Sequence, residues 1–133
     1  MPDCGTYIVK IKVKKSIEIV IGSLGKMRFE PGIYVYVGSA MNSISGRIKR
    51  HVKKSKKLHW HIDYLTSASE VDVIGAYAFY DKKIEEKVSF EFSKRYRAVG
   101  KFGASDMRRV NSNLYIADED VDKFIELLGG VSI

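Results

Sequence analysis

The chain has 133 residues, 45% of them hydrophobic and 29% charged, with a formal net charge of +7, a size and balance that fit one domain, 1–133, with its own core. No apolar run reaches the ~18 residues that cross a membrane, and Met1-Pro2-Asp3-Cys4 opens no basic and apolar leader. With a single cysteine, Cys4, an internal disulfide is excluded, and the expectation is a cytoplasmic domain with no membrane partner.

Tyr7, Val9, Ile11 and Val13 alternate with Lys10, Lys12 and Lys14. Period-two alternation predicts a first strand with the apolar set inward and the lysines in water. A second apolar run, Ile17 to Ile21, ends at Gly22-Ser23-Leu24-Gly25, a turn by composition. That turn is no phosphate loop, because it lacks the following Lys-Ser/Thr and helix. Met27 to Phe29 returns as a short strand, Pro31-Gly32 turns again, and the β-branched and aromatic run Ile33 to Val37 is the next strand.

A first helix follows, with Asn42 or Ser43 as its N-cap. Ile44, Ile48 and Val52 recur every four residues and predict its buried stripe. Arg47 and His51 have the same spacing and share a face beside that stripe. Lys49, Arg50, Lys53 and Lys54 point elsewhere, toward solvent or a ligand. From Arg47 to Lys57 there are seven basic residues and no acid. The chain through Thr66 carries 13 Lys and Arg against 4 Asp and Glu, and the remainder 10 against 12. So dense a cationic stretch attracts a polyanion and steers its approach.

His59 to Leu65 reads as a second short helix or a tight connector. Trp60 and Leu65 then pack on the core, and the polar groups of His59, His61 and Asp63 fix the connection by hydrogen bonds. Val71 to Tyr80 is a strand, and Lys82 to about Ala98 a long helix striped by Ile84, Val88, Phe92 and Tyr96. Glu85 lies on the core-side edge of that helix, and Glu86 swings away. Phe102-Gly103-Ala104-Ser105-Asp106 is a loop, in which Gly103 supplies a backbone conformation and Asp106 braces the turn. Leu114 to Ile116 is a last short strand. Asp118 to Leu128 is a terminal helix, acidic at its start and stopped by Gly129-Gly130.

Cleaving a phosphodiester needs an oriented water or base, positive charge on the developing phosphorane, and help for the leaving oxygen. Tyr7 and Tyr36 offer phenols on separate strands. Arg47 offers a fixed cation with a phosphate-matching fork. His51 can move a proton or hold a phosphate, and Glu85 can hold a metal through oxygen.

Tyr36-Val37-Gly38 resembles the second half of the GIY-YIG nuclease signature. For the first half, Gly32-Ile33-Tyr34 matches by letter but runs straight into Tyr36-Val37-Gly38. Gly5-Thr6-Tyr7 matches less literally but sits on a separate strand, which makes it the better counterpart of the first half. Residues 8 to 35 then lie between the halves, longer than is typical, so an inserted strand pair is expected. A narrower resemblance covers almost the whole chain. It is carried by Gly5-Thr6-Tyr7, Tyr36-Val37-Gly38-Ser39-Ala40, Arg47-Ile48-Lys49-Arg50-His51, His59-Trp60-His61-Ile62-Asp63-Tyr64-Leu65 and Phe102-Gly103-Ala104-Ser105-Asp106. These segments are similar to an uncharacterised prokaryotic family of that superfamily, whose domains sometimes occur fused to the repair enzyme endonuclease III. Two residues depart from the pattern: Ser39 stands where many members carry lysine, and Met107 where many of the narrower family carry cysteine.

The resemblance implies an α/β (α+β) fold. The expected form is a small, mainly antiparallel mixed sheet flanked by helices, a GIY-YIG-like core with an inserted hairpin. It implies a metal-dependent endonuclease-like domain acting on structured or damaged DNA, with one Mg²⁺ or Mn²⁺ on Glu85. Tyr36 or His51 would position or deprotonate water, Arg47 would stabilise the phosphorane, and Tyr7 and Asn113 would orient the metal's waters or the phosphate. Gly38, Ser39, Lys49, Arg50, Lys53, Lys54, Lys57 and Asn113 are the expected nucleic-acid contacts. The alternative is a catalytically weak nucleic-acid-binding module that positions a repair-enzyme partner. A third reading is a structural or protein-binding domain with an incidental basic face.

Overall fold

The structure, a computed structural model, describes residues 2–103 and 110–133. Ser105, Asp106 and Met107, and with them the expected bracing role of Asp106, lie outside the described residues.

Among the described residues, six strands form one sheet in the order β6-β7-β4-β1-β5-β8. They are β1 (Gly5–Val13), β4 (Gly32–Ala40), β5 (Val71–Tyr80), β6 (Arg97–Ala98), β7 (Leu114–Ala117) and β8 (Val131–Ser132). Every pairing is antiparallel. The expected inserted hairpin is a second sheet, β2 (Ile17–Val20) with β3 (Lys26–Phe29), joined across a short 3-10 turn at Gly22–Leu24. The helices are α1 (Ile44–Val52), α2 (His61–Thr66), α3 (Glu85–Arg95) and α4 (Val121–Leu127). None is long and apolar enough to cross a membrane, among the described residues.

The central strand β1 is covered on both faces. Tyr7, Val9, Ile11 and Val13 join a core with Ile44 of α1, Ile62 and Leu65 of α2, and Phe29 of the hairpin. Ile8, on the opposite face, joins Val88 and Phe92 of α3 with Val121 and Ile125 of α4. The alternation therefore misleads at Lys10: its face meets α4, and its ammonium lies 2.8 Å from Asp122 rather than standing free in water.

β1 and β4 pair so that Tyr7 faces Gly38 and Val9 faces Tyr36. Gly5, at φ +132°, lets the chain begin β1 where a Cβ would meet the Phe79 carbonyl at 2.4 Å. The helix expected over 82–98 is shorter at both ends. The Thr6 hydroxyl donates to the Lys82 carbonyl at 2.9 Å and accepts the Ile84 amide at 3.0 Å, which ties down the segment before Glu85. At the other end Tyr96 is extended, and Arg97–Ala98 pair with β7. β6 and β8 are too short to leave a periodic trace in sequence, and β8 follows the Gly129-Gly130 stop, so Leu114–Ala117 is not the last strand.

Candidate functional site

The site begins at the open end of the β1–β4 pair. Ser43 is the cap that starts α1: its Oγ accepts the Gly46 amide at 2.9 Å. β4 ends at Ala40, α1 packs against β1, β4 and β5, and His51 of its last turn points down onto Tyr7. Its Nε2 lies 2.7 Å from the Tyr7 hydroxyl. The expected stripe holds at Ile44 and Ile48, which pack in the core, and is corrected at Val52. His51 is 1% exposed while Val52 is 53% exposed, because the inward position of the last turn meets a phenol and takes the residue that can bond to it. Tyr36 completes the group, with its ring centroid 5.9 Å from that of His51.

Burial sets the protonation of this trio. It pushes the Tyr7 and Tyr36 hydroxyls well above the ordinary phenol range, although the Arg47 charge pulls both the other way. It lowers His51 to about 4, helped by the nearby Lys56 charge. At neutral pH both phenols keep their protons and the imidazole is neutral. In these protonation states the Tyr36 hydroxyl can donate a hydrogen bond and the His51 ring carries no charge. The Tyr7–His51 contact contains one proton, and His51 Nδ1 finds no partner among the described residues.

Arg47 is fixed from two sides. Its Nη1 donates to the Ser39 carbonyl at 3.0 Å, and its guanidinium lies 4.4 Å over the Trp60 ring. Arg50 lies 4.9 Å over the same ring. Its Nη2 donates to Asp63 Oδ2 at 2.6 Å and to the Lys57 carbonyl at 2.7 Å. Asp63 Oδ2 also accepts the His59 and Trp60 amides, at 2.9 and 2.8 Å. Burial pushes the Asp63 carboxyl up, but those two amides and Arg50 outweigh it and hold it below its ordinary value. The 59–65 stretch is thus held by hydrogen bonds as expected, with Asp63 at the centre. Sequence reasoning missed that Trp60 carries both arginines. The available signal was an indole followed three residues later by an acid at a helix start.

On the other side of Tyr36, Asn113 Nδ2 donates to Glu85 Oε2 at 2.9 Å. Glu85 opens α3, and its charge pushes both phenols further up, which marks its nearness to them. Gly103 lies between: at φ +68° it adopts a conformation suited to glycine, and a Cβ there would come 2.9 Å from Asn113 Nδ2 and 3.4 Å from the Tyr36 hydroxyl. The structure therefore brings Tyr7, Tyr36, Arg47, His51, Glu85 and Asn113 to one end of the sheet. The donor set fits a hard divalent cation. Glu85 offers a carboxylate, and the buried Asn113 Oδ1 has no partner among the described residues. No group of three or more His, Cys, Asp or Glu stands together among the described residues, so a cation here would complete its shell with water and phosphate oxygens.

The expected nucleic-acid contacts divide. Lys49, Lys53 and Lys57 are exposed and, with Gly46, Arg50 and Lys56, line an open basic groove of about 360 Å³. Lys54, though exposed, directs its ammonium to the carbonyls of Thr66, Ala68 and Val71. Arg50 is largely committed to Asp63, as described. Gly38 is buried, and a Cβ there would come 2.5 Å from the Tyr7 hydroxyl; it makes room for the phenol rather than facing a ligand. Ser39 acts through its carbonyl on Arg47. Lys56, which the sequence did not single out, donates to the Arg50 and His51 carbonyls and to Thr66 Oγ1.

Comparison with known proteins gives one family: a model described as domain of unknown function DUF123 matches residues 6–129. No curated protein matches, and no solved structure does.

Proposed function

For this chain, which belongs to the DUF123 family, we propose a metal-dependent, GIY-YIG-type endonuclease-like function that hydrolyses phosphodiesters in DNA during repair or processing. The observation that carries the reading is the convergence of phenol, imidazole, guanidinium, carboxylate and amide at one sheet end, beside a basic groove. It is supported by the β1–β4 register that sets Tyr7 against Gly38, and by the fixing of Arg47 on Trp60.

Arg47 spreads positive charge onto the non-bridging phosphate oxygens, and its two anchors keep it there before substrate arrives. The Tyr36 hydroxyl, protonated at neutral pH, donates to the attacking water or the phosphate and orients it. Tyr7 and His51 support this layer from beneath, and the neutral His51 ring is the proton acceptor of the set. Glu85, with the Asn113 oxygen beside it, would hold one Mg²⁺ or Mn²⁺, which when bound supplies Lewis-acid charge at the leaving oxygen.

Incubation with nicked, branched or damaged duplexes in Mn²⁺ tests the reading. The expected result is strand cleavage that EDTA stops. Intact DNA under every condition overturns it. One observation favours a second reading, binding without cutting: Tyr7 and His51 are each 1% exposed. A module that only positions a repair partner would retain DNA binding in EDTA and nick nothing in Mn²⁺.

A further inference from the structure

Beside the convergent residues lies a cleft of about 250 Å³ lined by Tyr36, His59, Trp60, His61, Lys101 and Gly103. Four of these six carry aromatic rings, one is a cation, and none is acidic. The rings are held in place. His59 sits edge-on to Trp60 with centroids 4.8 Å apart. Trp60 lies under Arg47 and Arg50. The His61 Nε2 lies 3.3 Å from Ser23 Oγ of the hairpin turn, and its ring is edge-on to Phe102. Gly103 leaves open the approach to the Tyr36 hydroxyl that a side chain would fill.

The size and lining choose the ligand. The volume falls below the ~300–1,000 Å³ of a pocket for a drug-sized molecule, so it suits a single ring system. Aromatic walls offer a stacking surface that every nucleobase can use, and Lys101 supplies charge for the attached phosphate. Tyr36 belongs both to the cleft and to the convergent site, and Trp60 both to the cleft and to the Arg47 platform. A nucleotide whose phosphate meets Arg47 therefore has its base directed at this cleft.

We propose that the cleft is a subsite for an unpaired nucleobase, so that the DNA recognised carries an unpaired nucleotide next to the phosphate at Arg47. A base that stays paired and stacked in a duplex cannot enter. This inference rests on the DNA-binding part of the reading above and narrows its substrate class to flaps, gaps and looped-out nucleotides.

Fluorescence anisotropy in EDTA tests it without cleavage. Three labelled duplexes are compared: fully paired, with one unpaired nucleotide, and with an abasic unit in place of that nucleotide. The expected result is binding on the order of tenfold tighter to the unpaired nucleotide than to either other duplex. The double variant His59→Ala/His61→Ala should bring that ratio close to one. Equal affinity of the wild-type protein for all three duplexes overturns the proposal, as does an unchanged ratio in a folded double variant. The abasic comparison stands even where the variant fails to fold. A preference without cleavage in Mn²⁺ keeps the subsite and removes the nuclease reading. Cleavage without a preference does the reverse.

Discussion

The Tyr7 hydroxyl, 2.7 Å from His51 Nε2, occupies the space that any side chain at position 38 would need. The glycine of Tyr36-Val37-Gly38 is therefore a packing requirement of the strand pair: Tyr7 crosses to the facing strand, and only a residue without Cβ lets it lie there. Gly38→Ala should destabilise the fold by ~1–3 kcal/mol through overpacking, read as a lowered urea midpoint. Tyr7→Phe should cost a similar ~1–3 kcal/mol by leaving the buried ring nitrogen without its partner.

Stability should also report on the imidazole. His51 in the folded chain sits at about 4, below the ordinary value of 6.5. Between those values the unfolded chain binds more protons than the folded one, so stability rises with pH through the window and levels off above it. The full contribution is up to about 3 kcal/mol and is lost as pH falls from about 6.5 toward 4. Denaturation midpoints at pH 4.5 to 7.5 should fall less steeply toward acid in His51→Gln than in the wild-type chain. Parallel profiles would show that His51 is not held neutral by burial.

The β1–β4 pairing and the inserted hairpin were legible because their signals are local: alternation at Tyr7 to Val13, and turn residues at 22–25 and 31–32. The start of α1 was legible from its cap. What failed needed information from elsewhere in the fold. Val52 and His51 exchanged places because Tyr7, 44 residues away in sequence, offers a hydroxyl. Lys10 is half-buried because Asp122 of α4 covers it. The Trp60 platform and the return of Lys54 to the carbonyls around Val71 depend on α1 meeting the 59–71 segment, which no periodicity in either predicts.

Asp63 should behave as a keystone of that segment. It is fully buried and takes Arg50 and two backbone amides on one oxygen. Asp63→Ala strands those donors and should cost about 3 kcal/mol, the low end for a broken buried pair because Arg50 keeps some contact with water. A thermal scan checks it, and a melting temperature unchanged from wild type would show that Asp63 holds nothing together.

Metal dependence should pass through the carboxylate and its amide. Glu85→Gln removes the charge, and Asn113→Ala removes the donor that orients it. Each should raise the Mn²⁺ concentration for half-maximal cleavage by ~10–100-fold. Cleavage rate against Mn²⁺ concentration measures this, and unshifted curves in both variants would separate this pair from the metal.

The most direct test of the convergent site is single-turnover DNA cleavage by Arg47→Ala and Glu85→Ala, with melting temperature recorded for each. Rates should fall at least ~100-fold while both variants melt as the wild-type protein does. Cleavage at the wild-type rate by either folded variant would contradict the account.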